Sequence, residues 1–134
     1  MTERMTEQDV DVLADAFENR TLDRRAWTHE AHLAVCWRAV RRFGRTGALQ
    51  HLRHAITSYN EATGGRNTST EGYHETLTRY YVDVMAERAD RDLTDVLSDP
   101  ACARDAPLRL WTRDLLFSAE ARAGWVPPNR ASVR

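Results

Sequence analysis

The stretch THEAHLAVCWRAVRRF, Thr28 to Phe43, decides the reading of this chain. Leu33, Cys36, Val40 and Phe43 recur at steps of three and four, the period of one face of an α-helix. His29 and His32 fall on the same stripe, so both imidazoles are expected to point inward from the first turn. Working outward, Thr70 to about Arg88 carries a second stripe of Leu77, Tyr81, Val84 and Met85, which His74 extends backwards by one turn. Between them Thr46 to Ala62 reads as a further helix, with Ala48, Leu49, Leu52, Ala55, Ile56 and Tyr59 as its buried face. Short connections make neighbouring helices antiparallel, so the His29 and His74 helices run the same way and their N-terminal ends share one end of a bundle.

The remaining segments fit the same architecture. Thr6, Val10, Leu13, Ala14 and Phe17 predict a capped amphipathic helix ending near Asn19. Gly44 and Gly47 mark a helix stop and restart, with Thr46 as a cap. A short helix is expected over Leu93 to Leu97, and Pro107 opens a last one through Trp111, Leu115 and Leu116, with a break near Ser118. No alternating strand pattern and no glycine-rich phosphate loop is present in the sequence. The expectation is an all-α, single-domain bundle of about five to six helices over residues 1–134, with 1–6 and 126–134 as flexible tails.

Composition narrows function by exclusion. The net charge is −1, and all 19 basic residues are arginine, so lysine Schiff-base chemistry has no residue to use. No global positive charge draws nucleic acid, and the local run Arg38, Arg41, Arg42 and Arg45 reads as a solvated helix end. No apolar run approaches a membrane span, and the polar, acidic start at Met1 to Glu7 is not signal-like, which points to the cytoplasm. Cys36 and Cys102 fit no metal-finger spacing and are expected reduced, Cys36 being a second-choice ligand one turn below His32. A homodimer through an apolar face of the first or last helix is open.

Three imidazoles converging on one end are what a metal centre needs. His29, His32 and His74 are the expected ligands of a divalent transition ion, Zn, Fe, Cu or Ni, leaving a position for water or substrate. Glu75, beside His74, is the expected general acid or base. Trp27, Tyr59, Asn60, Asn67 and Tyr73 are expected to line the same end and contact a small-molecule substrate, with the Gly64 to Thr70 loop as a lid. His51 and His54 are expected exposed and without a role. The HExH string at His29 to His32 lacks one residue of the zinc-protease spacing and is not that motif. Helix N-termini favour anions, so a histidine and arginine pocket that binds a small anion without metal or turnover is the competing reading. A third is an accessory protein in which the histidines only pack.

The strings WTHEAHL at Trp27 to Leu33, YNEA at Tyr59 to Ala62, GYHETLT at Gly72 to Thr78 and FSAEARAGWVPP at Phe117 to Pro128 resemble a family of small, uncharacterised, all-helical bacterial proteins. The resemblance implies no reaction. Its pattern joins HxxH to YHET, which here falls on His29, His32, His74 and Glu75.

Overall fold

The computed structural model describes residues 5–130 and builds them from helices alone: α1 (Glu7–Glu18), α2 (His29–Ala62), α3 (Glu75–Ala86), α4 (Leu93–Leu97), α5 (Arg113–Leu116) and α6 (Ala119–Ala123). Short 3₁₀ turns lie at Arg24–Ala26, Pro100–Cys102 and Ala106–Arg109. Side chains start most of these elements. Thr6 and Asp9 form a reciprocal capping box on α1, Thr28 accepts from Ala31 N at the start of α2, and Thr112 and Ser118 cap α5 and α6. The Ser118 cap falls at the expected break, and the Thr112 cap adds a second, so the segment after Pro107 is three short pieces.

The two expected central helices are the two arms of α2, reversed at Gly44. A straight helix of 34 residues is about 50 Å long, yet the Trp27 ring just before α2 lies 5.6 Å from that of Tyr59 near its end. The chain therefore doubles back, and Gly44, at φ 72° and ψ 178°, is the residue that does it. That conformation is essentially closed to residues with a Cβ. The arms 29–43 and 45–62 then pack in the directions the sequence predicts. Trp37 Nε1 donates to Arg91 O and Arg41 to Ala89 O, so the first arm runs with α3; Arg45 meets Asp83 and Arg53 meets Glu75, so the second runs against it.

The core fills the space between these arms, α1 and α3. Val10, Ala14 and Phe17 of α1, Leu33, Val35, Trp37, Val40, Leu52 and Tyr59 of α2, and Val82 and Met85 of α3 are all buried in it. Phe17 stacks on Trp27 at 4.1 Å and tilts against Tyr59 at 5.2 Å, which locks α1 to the end of the bundle where α2 begins and ends, opposite the Gly44 reversal. The run of arginines closing the first arm is consumed within the chain. Arg38 pairs with Asp11, Asp15 and Glu18, Arg41 with Glu7, Arg42 with Asp11 and Arg45 with Asp83.

The C-terminal segment is extended as expected but tied down. Thr76 Oγ1 donates to Gly124 O, Val126 N donates back to Thr76, and both Asn129 N and Arg130 N donate to Leu110 O. Trp111 is buried, donates to Val126 O and meets Trp125 edge to face at 5.5 Å. Within the tail expected from residue 126, the backbone of Val126, Asn129 and Arg130 makes these hydrogen bonds; 1–4 and 131–134 lie outside the described residues. No described helix is long and apolar enough to cross a membrane.

Gly44→Ala is expected to lower stability by about 1–3 kcal/mol, from backbone strain alone, since nothing lies within 4 Å of the added Cβ. Gly124→Ala, equally uncrowded but at φ −159°, is the control and should stay near wild type in urea denaturation. Equal midpoints for the two variants would contradict the reversal.

Candidate ligand-binding site

A half-open cavity of about 560 Å³ lies where the N-terminal ends of α2 and α3 meet the end of the second α2 arm. Leu33, Cys36, Leu52, Ile56 and Leu77 form its apolar walls. His29, His32, His74, Asn60, Tyr73 and Thr78 contribute polar groups, Trp27 and Tyr81 aromatic ones, and Arg24 and Arg104 the positive charge. No carboxylate is among the lining side chains. The three histidines thus share one cavity, together with Trp27, Asn60 and Tyr73, as the helix directions predict.

Hydrogen bonds decide what each imidazole can do. A carbonyl oxygen only accepts, so a ring nitrogen bonded to one must carry the proton, which fixes the tautomer. His29 Nε2 donates to Cys102 O at 2.8 Å, leaving Nδ1 bare. His32 Nδ1 donates to Thr28 O at 2.7 Å, leaving Nε2 bare, while its ring tilts against Trp27 at 3.8 Å. His74 spends both nitrogens. Its Nε2 donates to Leu116 O at 2.6 Å and its Nδ1 accepts from Leu77 N at 3.1 Å, so it is the N-cap of α3 rather than a residue of its first turn. Burial lowers the His32 pKa from 6.5 to about 4, against the raising effect of the Thr28 carbonyl and helped by His29 and Arg104. Burial also lowers His74, with Arg122 adding to it and the Leu116 carbonyl opposing.

The expected three-histidine ligand set is accordingly not assembled. Among the described residues no group of three His, Cys, Asp or Glu side chains is placed to hold a metal ion. His74 has no lone pair left to give, and the cavity offers two bare imidazole nitrogens instead of three. The Cys36 thiol beside them is buried, and burial pushes its pKa up, away from the thiolate a metal takes.

Other expected site residues have structural partners. Glu75 follows His74 in sequence but does not line the cavity. It takes Arg53 Nε and Nη2 at 3.0 and 2.6 Å and the Tyr73 hydroxyl at 2.7 Å. Burial would raise its pKa, but these donors outweigh burial and hold it below the ordinary value, a poor setting for a proton acceptor. Tyr59 is fully buried and donates to Leu22 O, so it belongs to the core and not to the cavity wall. Asn67 pins the loop: it donates to Thr57 O and accepts from Asn60 Nδ2 and Tyr73 N. The Gly64 to Thr70 segment, the expected lid, is absent from the lining, and Gly72 touches the cavity in its place. His54 is exposed as expected, whereas His51 meets Glu18 at 3.1 Å and Phe43 at 4.8 Å.

Sequence reasoning passed over Arg24, Arg104, Thr78 and Tyr81. Tyr81 was legible, since it lies on the His74 and Leu77 stripe; the arginines sit in connections without periodicity. Arg24 donates to Thr63 Oγ1 at 3.0 Å, and neither arginine is in an ion pair among the described residues. Compared with known proteins, the chain matches no family model, no curated protein and no solved structure, so the resemblance of its motifs rests on those residues alone.

The buried neutral histidines make stability depend on pH with a defined sign. The folded chain holds their protons less tightly than the unfolded chain, so their contribution is complete above 6.5 and declines as pH falls toward about 4 for His32. The loss for His32 is on the order of 3 kcal/mol by linkage. The unfolding midpoint is expected to fall steadily between about pH 7 and 4.5, above the range where most carboxylates titrate. His32→Gln should flatten this slope, and a wild-type midpoint that is level over the interval would contradict the assignment.

Proposed function

We propose that the protein binds a small anionic organic molecule in this cavity. The observation that carries the reading is the lining itself: two arginines without carboxylate partners line a recess that has a continuous set of apolar side chains, no carboxylate and a size that suits a small molecule. Arg24 and Arg104 hold the negative group, and Leu33, Leu52, Ile56 and Leu77 cover the apolar part. Charge opposite charge in a partly desolvated recess is worth more than the same pair in water.

A second reading, a metal-dependent enzyme acting on such a molecule, rests on the bare nitrogens of His29 and His32, three residues apart on one helix. It requires further ligand atoms from outside the histidine set, since His74 is committed to Leu116 and Leu77. Zn, Fe, Cu and Ni all accept imidazole nitrogen.

Elemental analysis and thermal shift with a set of organic anions, each run with and without a chelator, separate the two. Anion-dependent stabilisation of metal-free protein, lost in Arg24→Ala/Arg104→Ala, supports the binding module. Near-stoichiometric metal that disappears in a folded His29→Ala/His32→Ala variant supports the enzyme. Absence of both responses overturns both readings.

A further inference from the structure

We infer that the ligand of this cavity is a hydroxylated aliphatic carboxylate, whose carboxylate meets Arg24 and Arg104 and whose hydroxyl donates its single proton to the bare nitrogen of His29 or of His32. The inference rests on the small-anion reading and goes further by specifying the donor and the frame. Its origin is the tautomers. Both histidines give their one proton to a backbone carbonyl, His29 to Cys102 O and His32 to Thr28 O, so toward a ligand they can only accept.

The bare nitrogens are within reach. Arg122 Nε is the one side-chain nitrogen or oxygen buried without a partner among the described residues, so His29 Nδ1 and His32 Nε2, which have none, keep some solvent contact. Both residues line the cavity. A ligand with an anionic group but no donor would satisfy the arginines while stripping water from two acceptors and returning nothing. One with a hydroxyl returns a donor to one of them, and no other cation or carboxylate competes for that place among the lining residues.

Frame and head group follow from neighbouring contacts. The Trp27 ring has one face against Phe17 at 4.1 Å and the other against His32 at 3.8 Å, so it offers no open face for a flat aromatic ligand. Beside Tyr73 and Tyr81, the rest of the apolar wall is Leu33, Cys36, Leu52, Ile56 and Leu77, which suits an aliphatic chain. A phosphate would seek free backbone N–H groups at the two helix N-termini. One such N–H at each start, Ala31 N and Leu77 N, is already taken by Thr28 Oγ1 and His74 Nδ1, and the positive charge on the lining is guanidinium, which pairs with a carboxylate.

The test is calorimetric titration of the full chain with decanoate, the hydroxydecanoates bearing the hydroxyl at successive carbons, decanol and decyl phosphate, at neutral pH. At least one hydroxydecanoate is expected to bind roughly tenfold or more tighter than decanoate, and decanol not measurably. Arg104→Gln, at an exposed position whose side chain makes no hydrogen bond among the described residues, should weaken both carboxylates while keeping the ratio between them. In the complex, the bare-nitrogen 15N signals of both His29 and His32 should move downfield with decanoate, whereas with the hydroxylated ligand one of the two should stay near its free-state position. Equal binding of decanoate and every hydroxydecanoate overturns this inference and leaves the small-anion reading intact. Tighter binding of decyl phosphate overturns the choice of head group, and binding of none of the probes counts against the cavity reading itself.

Discussion

Everything at the functional end depends on one backbone reversal. Gly44, in a conformation that a side chain would forbid, turns a 34-residue helical run back on itself and so brings Tyr59 beside Trp27. Without it, Leu52, Ile56 and Asn60 would lie far from His29 and His32, and the cavity would have one wall. The reversal also fixes direction: the first arm runs with α3 and the second against it, so the starts of α2 and α3 sit side by side. Phe17 and Trp27, stacked at 4.1 Å, then close the bundle from the α1 side.

Two helix starts at one end place several polar groups in a small volume, and each is spoken for. Thr28 caps α2 through Ala31 N, and its carbonyl takes the His32 proton. His74 does for α3 what a serine or aspartate does elsewhere, accepting a first-turn N–H through its ring, while its other nitrogen clamps Leu116 O and with it the C-terminal segment. His29 ties α2 to Cys102 O in the same way. These bonds hold three distant pieces of chain together and at the same time decide which ring nitrogens remain for a ligand. A site of this kind is built from acceptors and arginines, with its donors turned inward to the backbone.

The bundle, the parallel starts and the shared end of three histidines were legible because they follow from period and connection length. Trp27, Asn60 and Tyr73 were legible for the same reason. What escaped was set by contacts with no local signature. The partners of His29 and His74 are backbone carbonyls 73 and 42 residues away, and carbonyl positions leave no mark in residue identity. Glu75 was expected to act because it adjoins His74, but consecutive helical residues point in different directions, and Arg53 on the facing arm claims it. Tyr59 sits on the buried stripe, and its hydroxyl finds Leu22 O inside the core. Thr112 and Ser118 were readable as caps, of which only Ser118 was expected to interrupt the last helix.

The central claim is that His29, His32 and His74 each hold a ring N–H on a backbone carbonyl, which fixes where that proton sits, and form no three-ligand metal set. A long-range 1H–15N correlation spectrum of the labelled protein at neutral pH tests it directly. The account predicts one protonated and one bare nitrogen in each ring: Nε2 protonated in His29 and His74, and Nδ1 in His32. Averaged signals from exchanging tautomers, or metal-shifted nitrogens in all three rings of the protein as isolated, would contradict it.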